Sequence, residues 1–92
     1  MSEELLLRRP RLIRNCRLSE STNQENTLLM PEGVLRLKGT GVEILKLCDG
    51  VRTLGEILIL LKQKFPQAEP QKIEAESVQF LNQLREKRVM EF

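Results

Sequence analysis

Cys16 and Cys48 are the side chains best suited to covalent chemistry in this sequence, and neither has a partner to activate it. A thiol attacks as its thiolate, and the usual neighbour that takes its proton is an imidazole. The 92-residue sequence contains no His, which also removes the commonest general base and the commonest nitrogen ligand for a metal. Two cysteines so far apart are too few for a metal cluster or a disulfide framework, and they read as reduced thiols of a cytoplasmic protein. Tyr and Trp are absent as well. Gly33, Gly39 and Gly41 are not followed by the Lys-Ser/Thr that a phosphate-cradling loop needs. The carboxylates scatter over predicted helix surfaces as solvated charges. The expectation is a chain with no enzymatic activity, no metal and no cofactor of its own.

Val34, Leu35, Arg36, Leu37 and Lys38 form a strand-like stretch with Leu35 and Leu37 on one face and Val34, Arg36 and Lys38 on the other. The side chains of Leu35 and Leu37 read as core.

The elements that must position this strand follow from the rest of the chain. Pro10 to Arg17 alternates imperfectly and is expected as one strand, followed by a polar turn over Ser19 to Gln24. Thr27 to Met30 is a short apolar run that stops at Pro31. Pro31-Glu32-Gly33 is turn chemistry, so a hairpin is expected between that run and Val34 to Lys38. Beyond it the period becomes helical. Thr40 is expected to cap a first helix over Gly41 to Cys48, which Asp49-Gly50 stops with a left-handed residue. Gly39-Thr40-Gly41 reads as a hinge between sheet and helices rather than an anion nest. A second helix opens on the capping box Thr53-Leu54-Gly55-Glu56, carries Leu54, Ile57, Leu58, Leu61 and Phe65 on one stripe, and closes before Pro66. A third runs from Pro70 to about Lys87 with Ile73, Phe80, Leu81 and Leu84 on its buried side. Val89 to Phe92 is a frayed end or a small extra strand, and residues 1–9, with Leu5-Leu6-Leu7, read as a flexible arm. Strands first and helices after give an α+β domain: a winged helix-turn-helix-like fold with a small N-terminal antiparallel β-sheet of about three strands followed by three α-helices.

One domain spans residues 1–92, and a chain of this size buries only about 60–65% of its unfolded surface. Fifteen basic against thirteen acidic residues leave a net charge of +2, a weak basis for a dedicated nucleic-acid binder. The longest uncharged apolar run, Ile57 to Leu61, is far short of the roughly 20 residues that cross a bilayer. The N-terminus lacks the basic start and long apolar stretch of a secretory signal.

The order Leu28-Leu29-Met30-Pro31-Glu32-Gly33-Val34-Leu35-Arg36-Leu37, then Gly39-Thr40-Gly41-Val42-Glu43-Ile44-Leu45, then Cys48-Asp49-Gly50, resembles the PqqD family of pyrroloquinoline quinone (PQQ) biosynthesis. The likeness starts at Arg9-Pro10-Arg11-Leu12 and runs through Thr53-Leu54-Gly55-Glu56-Ile57, Phe65-Pro66, Phe80-Leu81 and Leu84. Three positions depart from the family's usual pattern: Met30 stands for an aromatic, Lys38 for Asn and Ser77 for an apolar residue.

The resemblance implies a peptide chaperone, a recognition element for ribosomally made and modified peptides (RiPPs). It implies binding of the precursor peptide PqqA as an added strand, and presentation of that peptide to PqqE, a radical-SAM enzyme that joins a Glu and a Tyr. The iron–sulfur clusters and S-adenosylmethionine belong to PqqE. On that implication the backbone of Val34 to Lys38 is the candidate edge, whose N–H and C=O groups a guest chain completes. Val78, Leu81, Asn82 and Arg85, three or four residues apart, share the face of the third helix expected to line the cleft. Arg36 and Lys38 would attract acidic residues of the peptide. The alternative for such a fold is a winged-helix DNA-binding protein, against which Glu69, Glu74 and Glu76 stand at the start of the third helix, opposed only by Lys72. An exposed sheet edge is compatible with a monomer or a domain-swapped homodimer.

Overall fold

A computed structural model describes residues 2–19, 26–37 and 39–92. Its architecture is α+β, as the element pattern predicts. The hairpin is present: β3 (Asn26–Met30) and β4 (Gly33–Leu37) pair antiparallel around Pro31-Glu32. A short strand, β2 (Arg17–Ser19), pairs with β3 from the other side, so the three-stranded sheet runs β2-β3-β4 with β4 at its edge. The predicted turn over Ser19 to Gln24 and the end of the hairpin at Lys38 lie outside the described residues, except for Ser19, the last residue of β2.

Register fixes which side chains turn inward. Leu18 lies opposite Leu28, and Leu28 opposite Leu35, a row of three leucines across the inner face. Leu28 is fully buried and Leu37 nearly so, whereas Val34 and Arg36 on the same strand are exposed. Period-two alternation in Val34 to Leu37 thus predicts the two faces correctly.

Three helices cover the inner face: α2 (Gly39–Leu47), α3 (Leu54–Lys64) and α4 (Pro70–Glu86). α2 begins one residue before Thr40, so Thr40 sits in the first turn and is not the residue that precedes it. Gly50 follows with a φ of +79°, the left-handed stop expected there; a Cβ at this position would also stand 3.3 Å from Arg11 Cβ. The capping box of α3 forms: the Glu56 N–H donates to Thr53 Oγ1 (3.2 Å) and the Thr53 N–H donates to Glu56 Oε1 (2.9 Å). α4 carries Pro70 in its first turn, where a missing N–H costs nothing. The core joins Leu28 to Leu54, Ile57, Leu61, Leu81 and Leu84, each essentially removed from solvent. Burying each such side chain stabilises the fold by about 1.5–3 kcal/mol.

Two segments differ from the sequence reading. Pro10 to Arg17 is not one strand: β1 (Arg11–Leu12) belongs to a second, two-stranded sheet, and the chain turns at Arg14-Asn15 before β2. The Cys16 N–H donates to Ile13 O (2.9 Å) across that turn. The partner of β1 is β5 (Met90–Glu91), so Val89 to Phe92 contains a small strand and buries Val89 and Met90. Residues read as a flexible arm contain a one-turn helix, α1 (Glu3–Leu6), capped by Ser2, whose Oγ accepts from the Leu5 N–H (3.2 Å). Leu5 and Leu6 pack against the core, and the Leu54 N–H donates to Arg8 O (2.8 Å). Leu5 lies beside Val78 and Asn82 of α4 and Leu6 beside Gly55 of α3, while Leu7 stays exposed.

Candidate functional site

The candidate site starts at β4. Its ladder runs to β3 alone, and no strand pairs with its outer edge among the described residues. In an antiparallel strand every second residue aims its N–H and C=O away from the partner, so this edge offers a row of hydrogen-bonding groups at strand spacing. Gly33 opens the strand at φ +148°, which a side chain would disfavour although no heavy atom comes within 4 Å of a Cβ placed there. The constraint at Gly33 is therefore conformational, not one of space.

Beside the edge lies a groove of about 710 Å3. β4 contributes Arg36 and Leu37, α2 contributes Thr40, Gly41 and Ile44, and Leu61 of α3 and Phe65, the residue that caps its end, line it further. The opposite wall is one face of α4: Ile73, Glu76, Ser77 and Phe80 recur at the three- and four-residue spacing of a helix side. Gln67, Ala68 and Glu69 close one end, beside Lys72. Gly41 permits the width at the base: a Cβ there would stand 3.3 Å from Phe80 Cζ and 3.8 Å from Leu37 Cδ2. Ser77 is 2% exposed, a polar side chain buried in this wall.

The strand and helix residues singled out from sequence fall in different places. Arg36 and Leu37 border the groove; Val34 is exposed on the outer face and Leu35 is half-buried against the core. Lys38 lies outside the described residues. Leu81 is 0% exposed, inside the core. Val78 and Asn82 line a shallower cleft with Leu5 on the other flank of α4, and the Arg85 guanidinium lies 4.9 Å over the Phe92 ring. The buried stripe of α4 has two flanks, and the spacing of residues alone does not tell which one meets the sheet. Ile73 and Phe80, which face the groove, read from sequence as core only. The 73-76-77-80 spacing is their signal, and it is used only once β4 is known to lie beside that flank.

The titratable groups near this frame have structural roles. Burial, with Asp49 nearby, pushes the Cys48 thiol up to about 12, and its Sγ lies 3.2 Å from Ile44 O as a donor. Burial also raises Cys16. A hydrogen bond from Lys64 holds the Glu43 carboxyl below the usual range and ties α2 to α3, with Lys46 acting in the same direction. Lys62 pairs with Glu74 and so joins α3 to α4. No group of three or more His, Cys, Asp or Glu side chains among the described residues is placed to hold a metal. No helix among them is long and apolar enough to cross a membrane.

The family model described as coenzyme PQQ synthesis protein D (PqqD) matches residues 25–90. The PqqA binding protein of Azotobacter vinelandii is 34% identical over 88 residues, 95% of this chain and 94% of that protein. The bifunctional coenzyme PQQ synthesis protein C/D of Methylorubrum extorquens is 39% identical over 83 residues, which are 89% of this chain but 22% of that longer protein. The match to the PqqA binding protein of Klebsiella pneumoniae, 37% identical, spans 53% of each. The solution NMR structure of the PqqD truncation of Methylobacterium extorquens PqqCD, described as a stand-alone RiPP recognition element, superposes with a TM-score of 0.75 at 38% identity, covering 90% of this chain and 88% of that one. Sheet order, helix placement and the ordered run from Leu28 to Leu84 therefore converge with these matches on one assignment: the chain belongs to the PqqD family.

Proposed function

We propose that this chain is a peptide chaperone of PQQ biosynthesis, which takes the precursor peptide PqqA as a fourth strand along β4 and presents it to the radical-SAM enzyme PqqE. The observation that carries the reading is the unpaired edge of β4 lying beside an apolar groove walled by α4. Backbone bonds along the edge supply affinity without regard to sequence, and alternate guest side chains enter the groove and select the partner. On the helix side the proposed contacts are Ile73, Glu76 and Phe80; on the strand side they are Val34 to Lys38, with Arg36 drawing acidic guest residues. Val78 and Asn82 line the cleft on the other flank and Arg85 lies over the Phe92 ring, so the proposed grip does not use them.

The chain makes and breaks no covalent bond in this proposal. A thiol held at about 12 stays protonated at neutral pH, and the redox chemistry resides in PqqE. The two free cysteines suit a cytoplasmic setting.

N-methylation of PqqA one position at a time tests strand addition. A guest strand turns alternate N–H groups toward β4, so affinity should fall by about tenfold or more at every second position and hardly change between them. A loss without that period of two contradicts strand addition.

A further inference from the structure

We propose that Ser77 sets which guest side chain the groove accepts: its hydroxyl hydrogen-bonds an uncharged polar side chain of the peptide that lies along β4. This rests on the strand-addition reading above and names the chemistry that the same groove selects. Ser77 is the single polar side chain that the described residues bury. It lines the groove between Ile73 and Phe80, which lie one helical turn to either side on α4. Among the described residues no hydrogen bond engages its hydroxyl. Nor does any side-chain oxygen or nitrogen among them stand sealed from solvent without a partner, so the hydroxyl keeps an opening, and Ser77 opens on the groove.

A guest strand along β4 closes that opening, and a hydroxyl closed in without a partner is costly. Ala in this place would favour the helix and forfeit no bond, so stability alone does not call for Ser. The groove residues around it are apolar: Leu37, Ile44 and Leu61 are buried, and Phe80 is half-buried. The charged residues that line the groove, Arg36, Glu69, Lys72 and Glu76, are all exposed. An ionised guest group beside Ser77 would give up its water with no buried opposite charge to meet it. A wholly apolar guest group would leave the hydroxyl unbonded. The side chain of a Ser, Thr, Asn or Gln avoids both losses, because it is neutral and can donate or accept. A site that hydrogen-bonds its ligand also rejects the analogue lacking that group more strongly than an apolar pocket rejects a change of size.

PqqA is the probe. Each polar residue of PqqA, charged or neutral, is replaced in turn by an apolar one of similar size. Affinity is then measured by calorimetric titration for the wild type and for Ser77→Ala. Ala suits the helix, and thermal unfolding of the free variant checks the fold. Ser77→Cys gives the same cycle with the volume nearly kept and the hydrogen bond weakened. The expected result is one neutral guest position whose replacement costs the wild type about tenfold in affinity and costs either variant little. A structural effect of residue 77 alone would weaken every guest alike and show no such coupling. Equal losses in wild type and variants at every position overturn the proposal, and coupling at a charged guest residue overturns the assignment to a neutral one. Binding that follows the period-two N-methylation pattern without any coupling refutes the role of Ser77 alone. Failure of PqqA to bind the wild type refutes the peptide-chaperone reading, and this proposal with it.

Discussion

Glu56 and Thr53 hold each other at the start of α3, and this reciprocal arrangement makes stability depend on pH. The Thr53 N–H, and then its hydroxyl, lower the Glu56 carboxyl from its ordinary 4.5; the Arg52 and Val51 N–H groups lower Asp49 from 3.8. A carboxyl whose folded value lies below its unfolded value contributes stability that is fully present above the ordinary value. That stability is lost as pH falls through the folded one. The melting temperature should therefore decline from about pH 5 to about pH 3, with a shallower decline in Glu56→Gln, which keeps an oxygen for the cap but no charge. Parallel acid limbs in the two proteins contradict this account. Arg36→Glu belongs to the same scale. The side chain is exposed, so the fold should survive the change, while affinity for an acidic PqqA segment falls measurably in calorimetric titration. Equal affinity removes the electrostatic part of the grip.

At the scale of elements, α4 serves two masters with two faces. Leu81 and Leu84 anchor it in the core, and Ile73, Glu76 and Phe80 wall the groove. Leu81→Ala should cost about 2–5 kcal/mol of unfolding free energy, read in denaturant, because it opens a cavity at a fully buried position. Gly41→Ala probes the other face. The added Cβ would press on Phe80 Cζ at 3.3 Å, and the ring borders open space, so it yields into the groove. Stability should then hold or rise slightly, by up to about 1 kcal/mol from helix propensity, while PqqA affinity falls. A variant that binds PqqA as tightly as the wild type argues against the narrow base of the groove as part of the site. Legibility differs between elements for physical reasons. The hairpin, the capping box, the Gly50 stop and the extent of α4 are local signals and were readable residue by residue. β1 and β5 were not, because Arg11 and Glu91, which pair across the strands and by their side chains, sit at opposite ends of the chain. A two-residue strand has no periodicity to read. The turn into β5 is equally hidden: Arg88 adopts φ +61° without being Gly, and the Val89 N–H bonds Leu84 O (3.0 Å) to close the end of α4. Likewise the groove flank of α4 became assignable only from the position of the sheet.

At the scale of the whole molecule, the edge of β4 that no strand pairs among the described residues lies beside the groove, and the sequence as a whole carries a net charge of +2. In the proposed grip the edge needs only a guest backbone, so a domain without His, Tyr or Trp can recognise a partner. Titration of isotope-labelled protein with unlabelled PqqA tests this claim most directly. The account predicts amide shifts that cluster at Val34 to Leu37 and at Ile73, Glu76, Ser77 and Phe80, with slowed exchange along β4. Shifts confined to the chain termini and the Val78–Asn82 flank, with β4 unmoved, would contradict it.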